Sequence, residues 1–181
     1  MSKNEAIGYI YFDYNDPKSF EPESILRNLL TQLLFHLQTV PDSIEALHDE
    51  CRQKGKSPDM SDLKQHLTVT CAKFNGVFLL FDALDEISAE NSKDVMLLLS
   101  DFRNAAGTRI FCTSRINTPR VRDELGNPAV YEILANQGDI VQYIGMRLDR
   151  EYDYDDESKQ MILNCLVARA EGKYFSDVCL D

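Results

Sequence analysis

The sequence predicts an α/β fold in which a parallel sheet lies between two layers of helices. The apolar run 77–81 lacks the alternation of half-exposed strands, which predicts a strand buried on both faces, and the run 109–113 is predicted to be a second buried strand. Helical patterns separate these runs from each other and from a strand-like run near the N-terminus, an order typical of parallel sheets. The 181 residues are enough for one such domain and the beginning of a second.

The N-terminal part predicts a strand followed by a long helix. The run 7–12 is rich in β-branched and aromatic residues, and a turn-forming cluster follows it at 13–17. We expect the helix to begin near Pro22, because the first helical residue does not need the N–H that proline lacks. Apolar residues recur at intervals of one, three and four positions over 25–37, which predicts a wide apolar stripe.

Two more helices are expected before the first buried strand. Pro41 ends the long helix, and Asp42 is expected to cap the next one, which continues to Gly55. A third helix is expected from about Ser61, and the turn-forming pair at 75–76 ends it.

The second half of the chain alternates helix and strand and then changes character. A helix is expected over 91–106, between the two buried runs. A strand at 130–134 and a helix capped by Asp139 complete a core assigned to residues 1–150. Residues 151–181 are expected to hold an acidic linker and the start of a helical domain.

The charge balance limits the classes of partner. Lys and Arg number 19 against 30 Asp and Glu, a formal net charge of -11, which argues against nucleic acid and anionic membranes because both need a basic face. No apolar run approaches the roughly 20 residues of a membrane span, and no signal-peptide core opens the sequence, so a cytoplasmic location is expected. The five cysteines are scattered without a CxxC pair, which fits that location and gives no zinc site.

Three carboxylates follow the first buried strand within five residues: Asp82, Asp85 and Glu86. The carboxyl end of a strand is where open α/β sheets bind ligands, and crowded carboxylates usually share a cation. Mg²⁺ is the natural candidate, with Asp82 at the strand edge as its ligand. Asp85 or Glu86 is placed to orient or deprotonate a water molecule. The alternative is that Asp82 is a turn residue and Asp85 a helix cap.

The second buried strand ends in Thr113, Ser114 and Arg115. These residues offer two hydroxyls and a guanidinium, and the planar fork of arginine suits phosphate. If the two strands are neighbours, the two ends together predict a nucleotide-phosphate site. The alternative for Arg115 is a solvated side chain at the start of a loop.

These segments carry a family resemblance. The strand at 7–14, the Asp-Ala-Leu-Asp-Glu sequence at 82–86, the Thr-Ser-Arg sequence at 113–115 and the passage into a helix at 135–140 resemble a NACHT-type domain of the STAND P-loop NTPases. The similarity is to the version in fungal signalling proteins with ankyrin or WD repeats, also described as the nephrocystin-like N-terminal domain. It spans roughly residues 7–175.

The resemblance implies roles for the site residues and a cofactor pair, Mg²⁺ with ATP. Asp82 would be the Walker B acid that holds Mg²⁺ through water, and Asp85 and Glu86 would handle the hydrolytic water. Arg115 would contact the γ-phosphate. Such proteins are nucleotide-dependent switches that oligomerise and signal to other domains.

One part of the family pattern is missing from this sequence. The phosphate-binding Walker A motif, GxxxxGK[ST], is expected upstream of the strand at 7–12, where only six residues stand. The one GK[ST] in the sequence, at 55–57, lies between predicted helices and lacks the first glycine. In the family the Walker A strand lies between the Thr113 strand and the Tyr131 strand. Without it, those two strands are expected either to pair directly or to leave two open edges.

Three functional hypotheses follow. The first is a fragment of a NACHT-type switch that binds and hydrolyses ATP in a longer protein and is weak or inactive alone. The second is a non-enzymatic interaction module that binds other protein domains or itself, through a sheet edge and the leucine stripe at 25–37. The third is a metal-dependent phosphohydrolase built on Asp82, Asp85 and Glu86, which needs further ligands from other strand ends.

Overall fold

The structure is a computed structural model that describes residues 4–105, 107–115, 125–126, 128–133, 136–170 and 177–180. Parts of four sequence predictions lie outside these residues: the end of the 91–106 helix, the end of the 130–134 strand, the first residue of the 135–140 passage, and the resemblance over 171–175.

Strands and helices in the described residues follow the predicted order as far as residue 170, and the strand at the C-terminal end was not predicted. The strands are β1 (Glu5–Tyr11), β2 (Gly76–Asp82), β3 (Thr108–Ser114), β4 (Ala129–Glu132) and β5 (Asp177–Leu180). The helices are α1 (Pro22–Phe35), α2 (Asp42–Lys54), α3 (Met60–Cys71), α4 (Ala89–Arg103), α5 (Gln137–Glu151) and α6 (Asp156–Ala170). Short 3-10 turns at Pro17–Phe20 and Leu84–Glu86 follow β1 and β2.

The predicted mixed α/β fold with a parallel sheet is confirmed. β1 pairs with β2 and β2 with β3, both in parallel, in the strand order β1-β2-β3-β5-β4. The expectation for the Thr113 and Tyr131 strands was wrong, because they neither pair directly nor leave two open edges. The C-terminal strand β5 lies between them and runs antiparallel to β3, with Ser114 opposite Asp177.

The core lies on one face of the parallel strands. Val77, Leu79 and Phe81 of β2 are buried there, and the Phe81 ring stacks on Phe102 of α4 at 6.2 Å between centroids. The stripe of α1 packs into the same core, which corrects its assignment as an association surface. Its buried members are Ile25, Leu26, Leu29, Leu30 and Leu33.

The opposite face of the three parallel strands is exposed or half-buried, and we call it the open face. Tyr9 and Tyr11 of β1 are 49% and 66% exposed, and Leu80 of β2 and Phe111 of β3 are half-buried. The prediction that 77–81 is buried on both faces is therefore wrong for the residues on this side.

Two predicted helix caps were wrong by a few residues. Asp42 is the first residue of α2 rather than its cap, which is Pro41, and its side chain makes no capping bond. Asn136, not Asp139, caps α5 by accepting a hydrogen bond from the Gly138 N–H. Such shifts arise because a cap depends on where the backbone leaves the extended conformation, and an acidic residue is equally favourable inside the first turn.

Contacts within the chain define two compact units, 1–131 with 177–181, and 132–176. The second unit contains a salt bridge between Lys159 of α6 and Asp149 of α5, in which Nζ lies 2.8 Å from Oδ1. The predicted boundary at 150/151 lies one residue before the end of α5 and stays a prediction. Among the described helices, none has the length and apolar character needed to cross a membrane.

Candidate functional site

The carboxyl ends of β2 and β3 meet at the centre of the candidate site. Because the two strands are parallel neighbours, Asp82 and Thr113 end up side by side. The Thr113 hydroxyl donates a hydrogen bond to Asp82 Oδ1 and accepts one from the Ala83 N–H at 2.9 Å. The second carboxylate oxygen of Asp82, Oδ2, has no hydrogen-bond partner among the described residues. The two strands are thus neighbours, which was the condition for their ends to form one site.

Ala83 turns the chain sharply after β2. Its φ of 61° and ψ of 50° are left-handed, and it is the one residue other than glycine with a positive φ in the described stretches. A left-handed alanine costs about 1–2 kcal/mol relative to a right-handed one. Leu84, which follows it, is buried and anchors the 3-10 turn in the core. In this left-handed turn the Ala83 N–H donates to Thr113, and the two acids that follow, Asp85 and Glu86, lie at the end of β2.

Asp85 forms an ion pair with Arg115 across the strand ends. The Arg115 Nε lies 3.0 Å from Asp85 Oδ2, and the Arg115 backbone N–H donates to Asp85 Oδ1 at 3.2 Å. The side chain of Asp85 is 17% exposed whereas that of Arg115 is 73% exposed. The acid is therefore fixed in the turn, and the guanidinium lies largely in solvent.

Glu86 and Ser114 take other positions. Glu86 Oε2 accepts a hydrogen bond at 3.0 Å from the backbone N–H of Tyr14, in the loop after β1. Ser114 is buried, and its hydroxyl donates to the Arg115 carbonyl at 3.4 Å. Side chains alternate along a strand, so Ser114 is on the opposite face from Thr113. The structure brings together Asp82, Thr113, Asp85 and Arg115, with Glu86 one residue further and Ser114 on the core side.

A shallow cavity of about 200 Å³ adjoins the Asp82–Thr113 pair on the open face. Its walls include aromatic and aliphatic side chains of β1, β2 and β3, with Asp82 and Thr113 at one end. Magnesium in nucleotide sites is often held by one or two carboxylates, while water and phosphates supply the other ligands. Asp82, with one oxygen orienting Thr113 and the other uncommitted, fits that role.

A metal site made by the protein alone is not supported. The described residues contain no group of three or more His, Cys, Asp or Glu side chains that could hold an ion. The phosphohydrolase hypothesis needed such additional ligands, and within this part of the chain it gains none.

The GK[ST] sequence at 55–57 is the end of a helix. Gly55 has a left-handed φ of 61° as the cap of α2, and the Lys56 N–H donates to the Cys51 carbonyl at 3.0 Å. This pair of features is a helix-terminating motif that favours glycine. The interpretation of 55–57 as a segment between helices, unrelated to phosphate, is consistent with this geometry.

Sequence reasoning missed Ala83 and Tyr14 as members of the site. The contact of Tyr14 with Glu86 spans 72 positions of the sequence, so no local pattern predicts it. For Ala83, the one indication of a turn is that acidic residues follow the buried strand directly. Alanine itself does not favour a left-handed conformation.

The chain matches one family model, described as "Nephrocystin 3, N-terminal", over residues 1–115. That match covers more than half of the 181 residues, so the chain belongs to this family. It includes β1, β2, β3 and every candidate site residue, and it ends at Arg115. No curated protein and no solved structure shows significant similarity to the chain.

Proposed function

We propose that this member of the nephrocystin 3 N-terminal family supplies the acidic half of a nucleotide-phosphate site and acts within a NACHT-type signalling switch. The observation that supports the proposal is the assembly of Asp82, Thr113, Asp85 and Arg115 at two adjacent parallel strand ends. A phosphate site with a divalent cation needs carboxylate on one side and a guanidinium on the other, and these two strand ends provide both.

Asp82 is proposed to hold the cation through water. Thr113 keeps the Asp82 carboxylate in one orientation, because its hydroxyl is itself fixed by the Ala83 N–H. Bound Mg²⁺ would neutralise phosphate oxygens and bridge them to the protein. The uncommitted Oδ2 of Asp82 would be the oxygen available to hold the ion through water.

Arg115 is proposed to bind the terminal phosphate, with Asp85 as its resting partner. The guanidinium end of this pair is solvated, so a phosphate group, which carries more charge than a carboxylate, competes with Asp85 for the guanidinium. Asp85, released from Arg115, is then the acid best placed to orient water. Glu86 is proposed to support this arrangement by tying the turn to Tyr14.

The phosphate-binding loop is proposed to come from elsewhere in a longer protein, since the one GK[ST] of this sequence ends helix α2. Positioning of the triphosphate is the larger part of phosphoryl-transfer catalysis. The isolated chain is therefore expected to bind Mg-ATP weakly or not at all.

Isothermal titration of Mg-ATP tests the proposal on the isolated chain and on a longer protein with an upstream GxxxxGK[ST] motif. We expect the longer protein to bind Mg-ATP and the isolated chain not to bind it. In the longer protein, Asp82→Asn should remove the magnesium-dependent part of the affinity. Asp94→Asn serves as the matched control, because Asp94 is an exposed acid of α4 with no hydrogen bond or ion pair to the strand ends among the described residues. If Asp82→Asn binds Mg-ATP as tightly as Asp94→Asn, the role given to Asp82 is wrong.

The open face favours a second candidate function, a protein-interaction module on the same fold. Exposed Tyr9 and Tyr11 adjoin half-buried Leu80 and Phe111, which makes a contiguous apolar surface. Under this alternative, Tyr11→Lys abolishes binding to a partner domain while Asp82→Asn leaves it unchanged. Under the nucleotide proposal, Asp82→Asn weakens the binding of Mg-ATP and Tyr11→Lys leaves it unchanged.

A further inference from the structure

The outer edge of β1 is occupied by a side chain of α1. β1 is the first strand in the order of the described sheet, and its even-numbered positions face β2, as shown by the Phe12 N–H donating to the Asp82 carbonyl at 3.1 Å. By the two-residue period of a strand, Ile7, Tyr9 and Tyr11 turn their main-chain groups to the other side. An uncovered row of such groups is a template for pairing with another strand.

Gln32 binds both main-chain groups of Tyr9. Its Oε1 accepts from the Tyr9 N–H at 2.9 Å, and its Nε2 donates to the Tyr9 carbonyl at 2.8 Å. Nε2 also donates to Asn28 Oδ1 at 2.8 Å, which fixes the orientation of the amide. One residue exchanging both bonds with one partner is the pattern of a hydrogen-bonded pair between antiparallel strands. The Gln32 amide therefore imitates one residue of a neighbouring strand.

His36 and Gly8 complete the arrangement. His36 Nε2 lies 3.1 Å from the Ile7 carbonyl oxygen and donates to it in the tautomer that carries hydrogen on Nε2. A Cβ on Gly8 would lie 3.0 Å from a methyl of Leu29, so glycine allows α1 to approach closely enough for Gln32 to reach across the edge.

We propose that Gln32 closes the β1 edge, and that without it a second copy of the chain pairs with β1 through its own β1. This inference is independent of the nucleotide proposal. β1 has seven residues and contains no Pro or Lys, the residues that commonly protect an edge strand. Its one charged residue is Glu5. Two β1 strands side by side would also join two apolar open faces, which identifies a second copy as the partner that this edge fits.

The test compares Gln32→Met with Gln53→Met, an exposed position of α2, by light scattering over a wide range of protein concentration. Met keeps the length of the side chain and removes its hydrogen bonds. We expect Gln32→Met to pass from the mass of one chain to that of two as concentration rises, while the wild type and Gln53→Met remain single chains. A Gln32→Met protein that stays a single chain overturns the proposal.

A second substitution shows whether β1 is the interface. Tyr9→Pro removes the edge-facing N–H, and proline is tolerated at such an edge position. We expect Tyr9→Pro to return Gln32→Met to a single chain, and continued association would overturn the assignment to β1. If Gln32→Met does not fold, hydrogen exchange of the wild type tests the proposal instead. A Tyr9 amide that exchanges about tenfold more slowly than an uncovered edge amide supports closure of the edge by Gln32. An unprotected amide refutes it.

Discussion

Replacing Thr113 with Val removes the hydroxyl that joins the two strand ends and keeps the volume of the side chain. That hydroxyl donates to Asp82 and accepts from the Ala83 N–H. The substitution therefore breaks two bonds at once without opening a cavity, so the loss of stability measures the bonds.

The expected loss can be worked from the two bonds. A neutral bond such as Ala83 N–H to Thr113 contributes about 1 kcal/mol, and one to an ionised carboxylate about 1.5–3 kcal/mol. Asp82 is half-buried, so water replaces part of the second contribution, and about 2–3 kcal/mol is lost in total. Relaxation of the left-handed Ala83 offsets up to about 1 kcal/mol. We expect a net loss of about 2 kcal/mol, roughly a 30-fold fall in the ratio of folded to unfolded protein.

Urea unfolding followed by far-UV circular dichroism measures this loss, since the chain has no Trp to report by fluorescence. Thr113→Ser keeps the hydroxyl and should lose less than about 1 kcal/mol. Thr108→Val is the matched control at the start of the same strand, where the hydroxyl is buried without a partner among the described residues. It should be neutral or stabilising. Equal losses for Thr113→Val and Thr113→Ser would refute the reasoning, because the hydroxyl would then contribute nothing.

Two further predictions concern a buried and a half-buried group at the end of α3. Thr70 is fully buried and its hydroxyl has no partner in the described part of the chain, so Thr70→Val should raise the free energy of unfolding by about 1 kcal/mol; a lower urea midpoint would contradict this. Burial raises the pKa of the Cys71 thiol from 9.0 to about 11, so below pH 9 iodoacetamide should modify exposed Cys165 well before Cys71, as mapped by mass spectrometry. Because the unfolded chain loses this proton first, the Cys71 contribution to stability should fall as pH rises from 9 to 11, and the fall should be absent in Cys71→Ala. Equal modification rates for the two cysteines would contradict the raised pKa of the half-buried Cys71 thiol.

The apolar pattern was enough to predict the parallel strands, because each is a short run of mostly apolar residues. The pattern did not show which face of the sheet the helices cover. Tyr9 and Tyr11 look like core residues in sequence yet form the open face, since coverage depends on which helices pack there and not on the strand itself. The insertion of β5 between β3 and β4 was also beyond prediction, because the pairing joins segments more than 60 positions apart.

The site could be predicted as far as residue types and strand ends determine it. Asp82 and Thr113 come together because parallel neighbours end at the same edge, which follows from topology alone. The partners of the other acids could not be predicted. Glu86 contacts Tyr14 and Asp85 contacts Arg115 from the turn that begins at the left-handed Ala83, and no residue in the turn requires that conformation.

The unequal exposure of Asp85 and Arg115 bears on how one ion pair can serve a binding site. Asp85 is held by the turn and by the Arg115 backbone N–H, so its carboxylate stays in place whether or not the guanidinium leaves. Under the proposed function, Arg115 exchanges Asp85 for a phosphate more readily than a buried arginine would, because its side chain lies largely in solvent throughout. A buried pair would resist that exchange, since separating it leaves an uncompensated charge. The shallow position of Arg115 is therefore what the proposed phosphate contact requires.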